Sequence, residues 1–306
     1  MGEPAGDVPA GYSTFCSEQH VKFAFIQAEK ASYPVAVLCE LLEVSTSAFY
    51  EWLGSQKAPE KEGKMQALKN IVRTVFVNSR QTYGKRRIHQ ALVQQGQVIG
   101  LKRVSKLIKE EKLVPKTFKK FKQTTDSNHH YSVAPNRLEN GFKVTAPNKV
   151  WSTDFTYIRT DEGWLYLCIY LDLFSRKVVG WATSNRINAN LAIAALDAAI
   201  GRRNPPQGLV THSDRGSQFC SHAYRKFCAG KGIEQSMGKT GSAYDNAITE
   251  TFFSTLKKEL IHGTRFTTRK EAIAAIFDHI EVFYNRTRMH SSLGFVSPVM
   301  YEAKVA

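Results

Sequence analysis

Three acidic side chains stand where an acid needs a reason to be. Asp154 lies inside the segment VWSTDFTYIRT, among Trp151, Phe155 and Ile158, where a neutral residue would cost less to bury. Asp214 follows the strand-like run LVTHS and precedes Arg215-Gly216, a turn. Strand ends are where α/β sheets commonly hold their sites. Glu250 falls in the first turn or two of an amphipathic segment whose apolar side is Phe252, Phe253, Leu256 and Leu260. At about 100° per residue, Asn246, Glu250, Ser254 and Lys257 share one strip at the edge of that apolar side and look into a common cleft. Each acid also has a plain structural reading: Asp154 as a hydrogen-bonded sheet residue, Asp214 as a turn former, Glu250 as a first-turn acid favoured by the helix dipole. All three at once are harder to explain that way.

Converging carboxylates repel one another and stay ionised together only when a positive charge sits between them. Hard divalent cations, Mg²⁺ or Mn²⁺, take oxygen ligands of this kind and keep open positions for water and phosphate oxygens. Two such ions roughly 3.5 to 4 Å apart can activate an attacking oxygen and stabilise a leaving one at phosphorus. The chemistry suggested is therefore phosphodiester cleavage or transfer.

Such a site needs a sheet and a helix to assemble it. VWSTDFTYIRT, WLYLCIYLDLF and KVVGWATS are rich in β-branched and aromatic residues and are separated by turn signals, which predicts a three-stranded meander. There follow a helix over 188–202, a strand over 208–212, a helix over 218–230, a short strand over 233–237, and helices from about Asn246 and about Thr268. The order βββαβαβα predicts an α/β fold with a mixed sheet flanked by helices. Asp172, at the end of the second strand, reads as a turn residue pairing with Arg176. GIEQSMGKT, over 232–240, nearly spells a phosphate-binding loop, but five residues separate its glycines where four are required, so ATP binding is set aside. The stretch 238–244 reads as a mobile loop ahead of the active-site helix.

The charge is as informative as the acids. The chain of 306 residues carries a formal net charge of +15. Residues 64–125 hold 16 basic and 2 acidic side chains, whereas residues 1–63 are net acidic. A basic excess concentrated in one stretch points to an anionic polymer as partner over a small neutral substrate. Two helical pairs precede the strands. In the first, over 35–53, Ser45 is placed as an N-cap between two apolar-periodic segments, a helix-turn-helix pattern whose Glu40, Glu43 and Glu51 suit phosphate poorly. In the second, YGKRRIHQALVQQG and LKRVSKLIKEEKL, Lys102, Lys106 and Lys109 lie opposite Val104, Leu107 and Ile108. Lys85, Arg86, Arg87, Lys102, Arg103, Lys106 and Lys109 are the candidate DNA contacts, and Lys116, Lys119, Lys120 and Lys122 extend the charge.

The expected organisation is a poorly ordered segment over 1–18, a helical DNA-binding region over 19–125, a linker over 126–147 and a catalytic domain over 148–306. The five cysteines are widely spaced without a C-x-x-C pair, so no disulfide framework or zinc site is expected, and His129 and His130 read as linker residues. No signal segment is apparent, and the longest apolar run, 164–171, is too short to span a membrane, so a cytoplasmic protein is expected.

WSTDFTYI, THSDRGSQF and DNAITETFFSTLKKEL resemble the three signature blocks of the IS3-type insertion-sequence transposases, the OrfB product, relatives of retroviral integrases. Thirty-five residues separate Asp214 from Glu250, and Lys257 stands seven after the glutamate, as in that family. YNRTRMHSSLGFVSP, VLCELLEVSTSAFYEWL and YGKRRIHQAL match further blocks, so the resemblance covers roughly residues 20–300. It implies an RNase H-like core in which Asp154, Asp214 and Glu250 bind two Mg²⁺ (or Mn²⁺) ions, with water and then a DNA 3′-hydroxyl as nucleophile. Lys257 and Asn246 would hold the terminal DNA, while Tyr284, Asn285, Arg288 and His290 would brace the active-site helix or touch DNA. Element ends and target DNA are the implied partners, with an OrfA-type protein and a homo-oligomer on DNA. A non-catalytic DNA-binding protein and a nuclease that cleaves without joining are the competing readings.

Overall fold

The computed structural model describes residues 18–56, 58–116, 134–137, 144–238 and 247–305. Residues 1–17, His129 and His130, Lys119, Lys120, Lys122, Asn246 and most of the loop expected over 238–244 lie outside the described residues. Contacts divide the chain into two units, up to Thr74 and from Val75 onward.

In the first unit α1 (Gln19–Glu29), α2 (Val35–Leu41) and α3 (Thr46–Gln56) close around Phe23, Ile26, Leu38, Leu42 and Phe49. The expected N-cap is present: the Ala48 amide donates to the Ser45 hydroxyl at 3.4 Å. The boundary between units falls within α4 (Ala58–Asn78).

The second unit is built on five strands: β1 (Val150–Thr160), β2 (Gly163–Asp172), β3 (Val178–Ser184), β4 (Val210–Ser213) and β5 (Glu234–Met237). Their spatial order is β3-β2-β1-β4-β5. The first three form the expected antiparallel meander, and β4 and β5 add in parallel beside β1. α7 (Ala189–Arg203) connects β3 to β4 and packs on one face with Trp151, Cys168, Tyr170, Phe219 and Tyr224. α10 (Ala247–Leu256) and α11 (Arg269–Phe277) cover the other face, over Ile158, Leu165, Leu167, Ile169 and Leu171. With both faces covered, β2 reads as a continuous apolar run and not as an alternation.

Several boundaries differ from the sequence reading. The helix expected over 218–230 is broken at Ser221 into α8 (Ser217–Cys220) and α9 (His222–Gly230), with the Ser221 hydroxyl capping α9. α10 and α11 each continue into a π-helical turn, Lys257–Ile261 and Asp278–Tyr284. The phosphate-loop lookalike contains β5, which excludes a phosphate cradle there. Asp172 is fully buried and accepts from the amides of Asn148 (2.7 Å), Phe174 (2.8 Å) and Ser175 (3.2 Å). Backbone amides take its hydrogen bonds, its charge also reaches Arg176, and burial still raises its pKa.

The second helical pair, α5 (Lys85–Gln94) and α6 (Leu101–Glu110), belongs to the unit that holds the sheet. The Met289 amide donates to the Tyr83 hydroxyl at 2.7 Å, Gln94 donates to the Phe295 carbonyl at 3.0 Å, and Arg80 pairs with Asp278. Part of the expected linker also lies on the sheet. The Arg137 amide donates to Ser236, and its guanidinium pairs with Glu234, beside edge strand β5. Among the described residues no helix is long and apolar enough to cross a membrane.

Gly180 marks the tightest approach of strand to helix. A Cβ there would come within 2.4 Å of the Ala199 Cβ and 2.6 Å of the Ala195 carbonyl. Gly180→Ala should therefore destabilise the second unit by about 1–3 kcal/mol through overpacking, read as a lower denaturant midpoint.

Candidate active site

The sheet register brings the first two acids together. β1 and β4 pair in parallel with Ser152 opposite His212, so Asp154 and Asp214 each lie two residues beyond the last rung. Asp154 shares its parity on β1 with Ile158, and therefore faces the layer that contains α10. Its carboxylate accepts from the Phe155 amide at 2.7 Å. Asp214 stands just past β4, where its carboxylate accepts from the Gly216 amide at 2.9 Å in a tight turn. Arg215 donates to the Gly238 carbonyl at 2.9 Å, and the Gly238 amide to the Ser213 carbonyl at 3.0 Å, closing the start of the next loop onto this turn.

The third acid is delivered by a buried hydrogen bond. Thr249 donates to the Ser152 hydroxyl at 2.6 Å, and neither residue is exposed. Ser152 is on the Asp154 face of β1, and Thr249 immediately precedes Glu250, so one bond ties the first turn of α10 to the strand beside Asp154. Glu250 itself is exposed. Burial, then the charge of Asp214 and more weakly that of Glu250, push the Asp154 carboxyl up to about 7. Lys257, half-buried, is lowered by burial while Asp154 works in the opposite direction. Among the described residues it is the one candidate DNA contact whose charge registers at Asp154.

The block at 284–290 braces the helix. Arg288 holds Glu259 through three contacts of 2.7, 2.8 and 3.0 Å, with both side chains under a tenth exposed. Burial works against the Arg288 charge, and Glu259 more than restores it. Because Glu259 lies in the π-helical turn that extends α10, this pair anchors the far end of α10. Asn285 donates to the Val178 carbonyl and accepts from the Val178 amide, both at 3.0 Å, pairing edge strand β3 like an added strand. Tyr284 meets Phe252 of α10 and His290 edge-on at 4.7 Å each. His290 is held neutral, its pKa pushed down to about 3 by burial and by Arg288.

The basic helices present a mixed picture. Lys85 and Arg86 on α5 and Lys102, Arg103, Lys106 and Lys109 on α6 are exposed, while Val104 and Leu107 are buried beneath. Arg87 is half-buried over the Tyr83 ring at 5.7 Å, and burial followed by the charge of Arg288 lowers its pKa. It packs where its neighbours face solvent. The Ser152–Thr249 and Glu259–Arg288 pairs were not legible in the sequence, since neither a serine in a strand nor a glutamate after two lysines names a distant partner.

Two outcomes test this arrangement. Arg288→Met leaves Glu259 buried without its partner and should cost about 3–5 kcal/mol of stability, whereas the double change with Glu259→Met should recover most of it in denaturant unfolding. In metal-free protein the raised Asp154 pKa means folding takes up a proton between about pH 4 and about pH 7, so stability falls as pH rises across that window. Asp154→Asn should flatten this dependence and melt above wild type near about pH 8 in scanning calorimetry.

Models of the Integrase core domain match residues 144–243 and 250–305, and a model of an HTH-like domain matches residues 64–121. The chain is 41% identical over 267 residues to the uncharacterized 31 kDa protein of insertion element IS600 from Shigella sonnei, covering 87% of this chain and 98% of that one. It is 38% identical over 285 residues to the transposase InsF of insertion sequence IS3A from Escherichia coli K12, covering 93% and 99%. A weaker likeness, with a TM-score of 0.41 and 18% identity, links 52% of this chain to 99% of the HTLV-2 integrase catalytic core domain solved with magnesium. With ordered motifs, a mixed sheet of the expected topology and relatives matched almost end to end, the chain belongs to the IS3-type insertion-sequence transposases.

Proposed function

We propose that Asp154, Asp214 and Glu250 are the catalytic carboxylates of this transposase and that together they hold divalent metal, Mg²⁺ or Mn²⁺, as two ions in the loaded site. One observation supports the reading above the others: an uncharged strand register and a buried hydrogen bond bring Asp154, Asp214 and the first turn of the helix that carries Glu250 to one end of the sheet. The donor set is three carboxylates, which suits a hard cation, and the crowding that raises Asp154 is what a cation would relieve. Among the described residues the acids do not stand at ligand spacing around a single point. Glu250, exposed in the first turn of α10, is the ligand that must turn inward. Bound cations would stabilise the attacking and leaving oxygens at phosphorus.

The protein's own part is positional. Asp154 and Asp214 are set by the strands, and Lys257, two turns along from Glu250, offers an ammonium to a neighbouring phosphate. In the first step a water oxygen bonds to phosphorus as the P–O3′ bond breaks, and the departing 3′-oxygen gains the proton that the water loses. In the second, the freed 3′-hydroxyl attacks a target phosphodiester, exchanging one P–O bond for another. The exposed Lys85, Arg86, Lys102, Arg103, Lys106 and Lys109 would follow the DNA backbone without reading sequence. Asn246, just before α10, would contact the terminal nucleotides. Pairing two element ends requires at least two protomers on DNA, with an OrfA-type protein supplying further end recognition. The site of action would be the bacterial cytoplasm.

The decisive experiment is cleavage and joining of a labelled element-end duplex with Mg²⁺ or Mn²⁺. Glu250→Gln keeps the shape and removes the charge, and should reduce both steps by at least about a thousandfold. Cleavage without joining by the wild type would favour a nuclease, and residual wild-type activity in the variant would remove Glu250 from the site.

A further inference from the structure

The sheet face opposite Asp154 carries a group of side chains that neither the carboxylates nor the braces use. Tyr157 is 49% exposed and Trp164 is 43% exposed. Their rings meet edge-to-face, with centroids 5.1 Å apart. The register sets Arg159 opposite Trp164 and Tyr157 opposite Tyr166, so Tyr157, Arg159 and Trp164 share one face of the β1–β2 hairpin. The Arg159 guanidinium lies 5.9 Å from the Trp164 ring centroid, and the Lys257 ammonium 5.3 Å from that of Tyr157. Phe155, on the same face of β1, is by contrast stacked on Phe219 at 4.9 Å within the core. The aromatic pair therefore lies past the end of the apolar layer, in solvent, with two cations over its rings.

Lys257 connects this group to the reaction. It comes from the α10 side and feels the charge of Asp154, yet its ammonium sits over a ring that projects from the other face. It reaches both because the ladder between β1 and β4 ends at Ser152, leaving the strand edge beside Asp154 outside that pairing.

We propose that Tyr157 and Trp164 form a stacking platform for an unpaired nucleobase of the DNA strand lying at the carboxylates, with Lys257 and Arg159 on its flanking phosphates. The proposal rests on the transposase reading and adds to it a requirement for strand separation beside the reacting phosphodiester. Bases inside a duplex have both faces covered by neighbours, so only a nucleotide drawn out of the stack can meet these rings. Stacking on aromatic side chains is tolerant of sequence because every base has a π face, and nearby cations hold the backbone. A platform of this kind serves any DNA end alike, leaving end recognition to other parts of the protein.

The test uses the full chain and a short duplex of arbitrary sequence ending in a single-stranded thymidine flap of about 4 nucleotides. The same duplex with an abasic flap keeps every phosphate and removes only the bases. At one fixed salt concentration the wild type should bind the thymidine flap about tenfold more tightly than the abasic one. Tyr157→Ala and Trp164→Ala should bring that ratio to about one, and Tyr157→Phe should keep it. Equal binding of the two flaps by the wild type overturns the platform without depending on any variant, as does a ratio that survives both alanine changes. Cleavage and joining of element ends are scored separately. Wild-type joining without flap preference sinks the platform alone, whereas flap preference without joining supports the platform and counts against the transposition reading.

Discussion

Carboxylates gathered at one end of a sheet push each other apart, and the work of holding them falls on bonds that carry no net charge. Here the parallel rungs between β1 and β4 set the spacing of Asp154 and Asp214, and the Thr249–Ser152 bond sets the approach of the helix that bears Glu250. A hydroxyl pair is well suited to the second task. It is fully buried, so it is shielded from competing water, yet it adds no charge to a site already crowded with negative charge. The consequence appears at Asp154, whose carboxyl is pushed up to about 7 by burial first and then by the charge of Asp214.

A second set of contacts holds the far end of the same helix. Arg288 grips Glu259, Tyr284 abuts Phe252, and Asn285 pairs with β3, so the C-terminal segment links the edge of the sheet to the extension of α10. That segment also receives the basic helices, since Met289 donates to Tyr83, just ahead of α5. The exposed lysines of α6 and the helix of Glu250 thus lie within one unit. The basic helices and the carboxylates are parts of one body, which suits a protein that must hold a DNA duplex and act on one of its phosphates. The π-helical turns at Lys257 and Asp278 begin where α10 and α11 enter this region, and both shift the helical phase from the straight periodicity that the apolar pattern implies.

Much of this was readable from residue types. The β-branched and aromatic residues of the meander, the apolar run of β2, the cap at Ser45 and the basic stripe of α6 are local signals, and each appears where its pattern placed it. Asp154 stood out because a charge inside an apolar pattern is expensive, Asp214 because it follows a strand end, and Glu250 because it edges the apolar side of a helix. Other features were misread for equally local reasons. Asp172 reads as half of an ion pair because Arg176 is near in sequence; its charge does reach Arg176, but its hydrogen bonds go to three backbone amides. The helix expected over 218–230 carried no visible break because Ser221 is tolerated in a helix and only its cap to Tyr224 reveals the interruption.

What sequence could settle was which residue types stand in which element, because propensity, periodicity and the cost of burying charge act over a few neighbours. What it could not settle was partnership across the fold. Ser152 with Thr249, Glu259 with Arg288, Val178 with Asn285 and Lys257 with Tyr157 are separated by between 29 and 107 residues or brought together across a strand edge. Nothing in either member of such a pair encodes the other. The pairs exist because the mixed sheet, covered on both faces, leaves a small number of places where a buried hydroxyl, amide or charge can be satisfied.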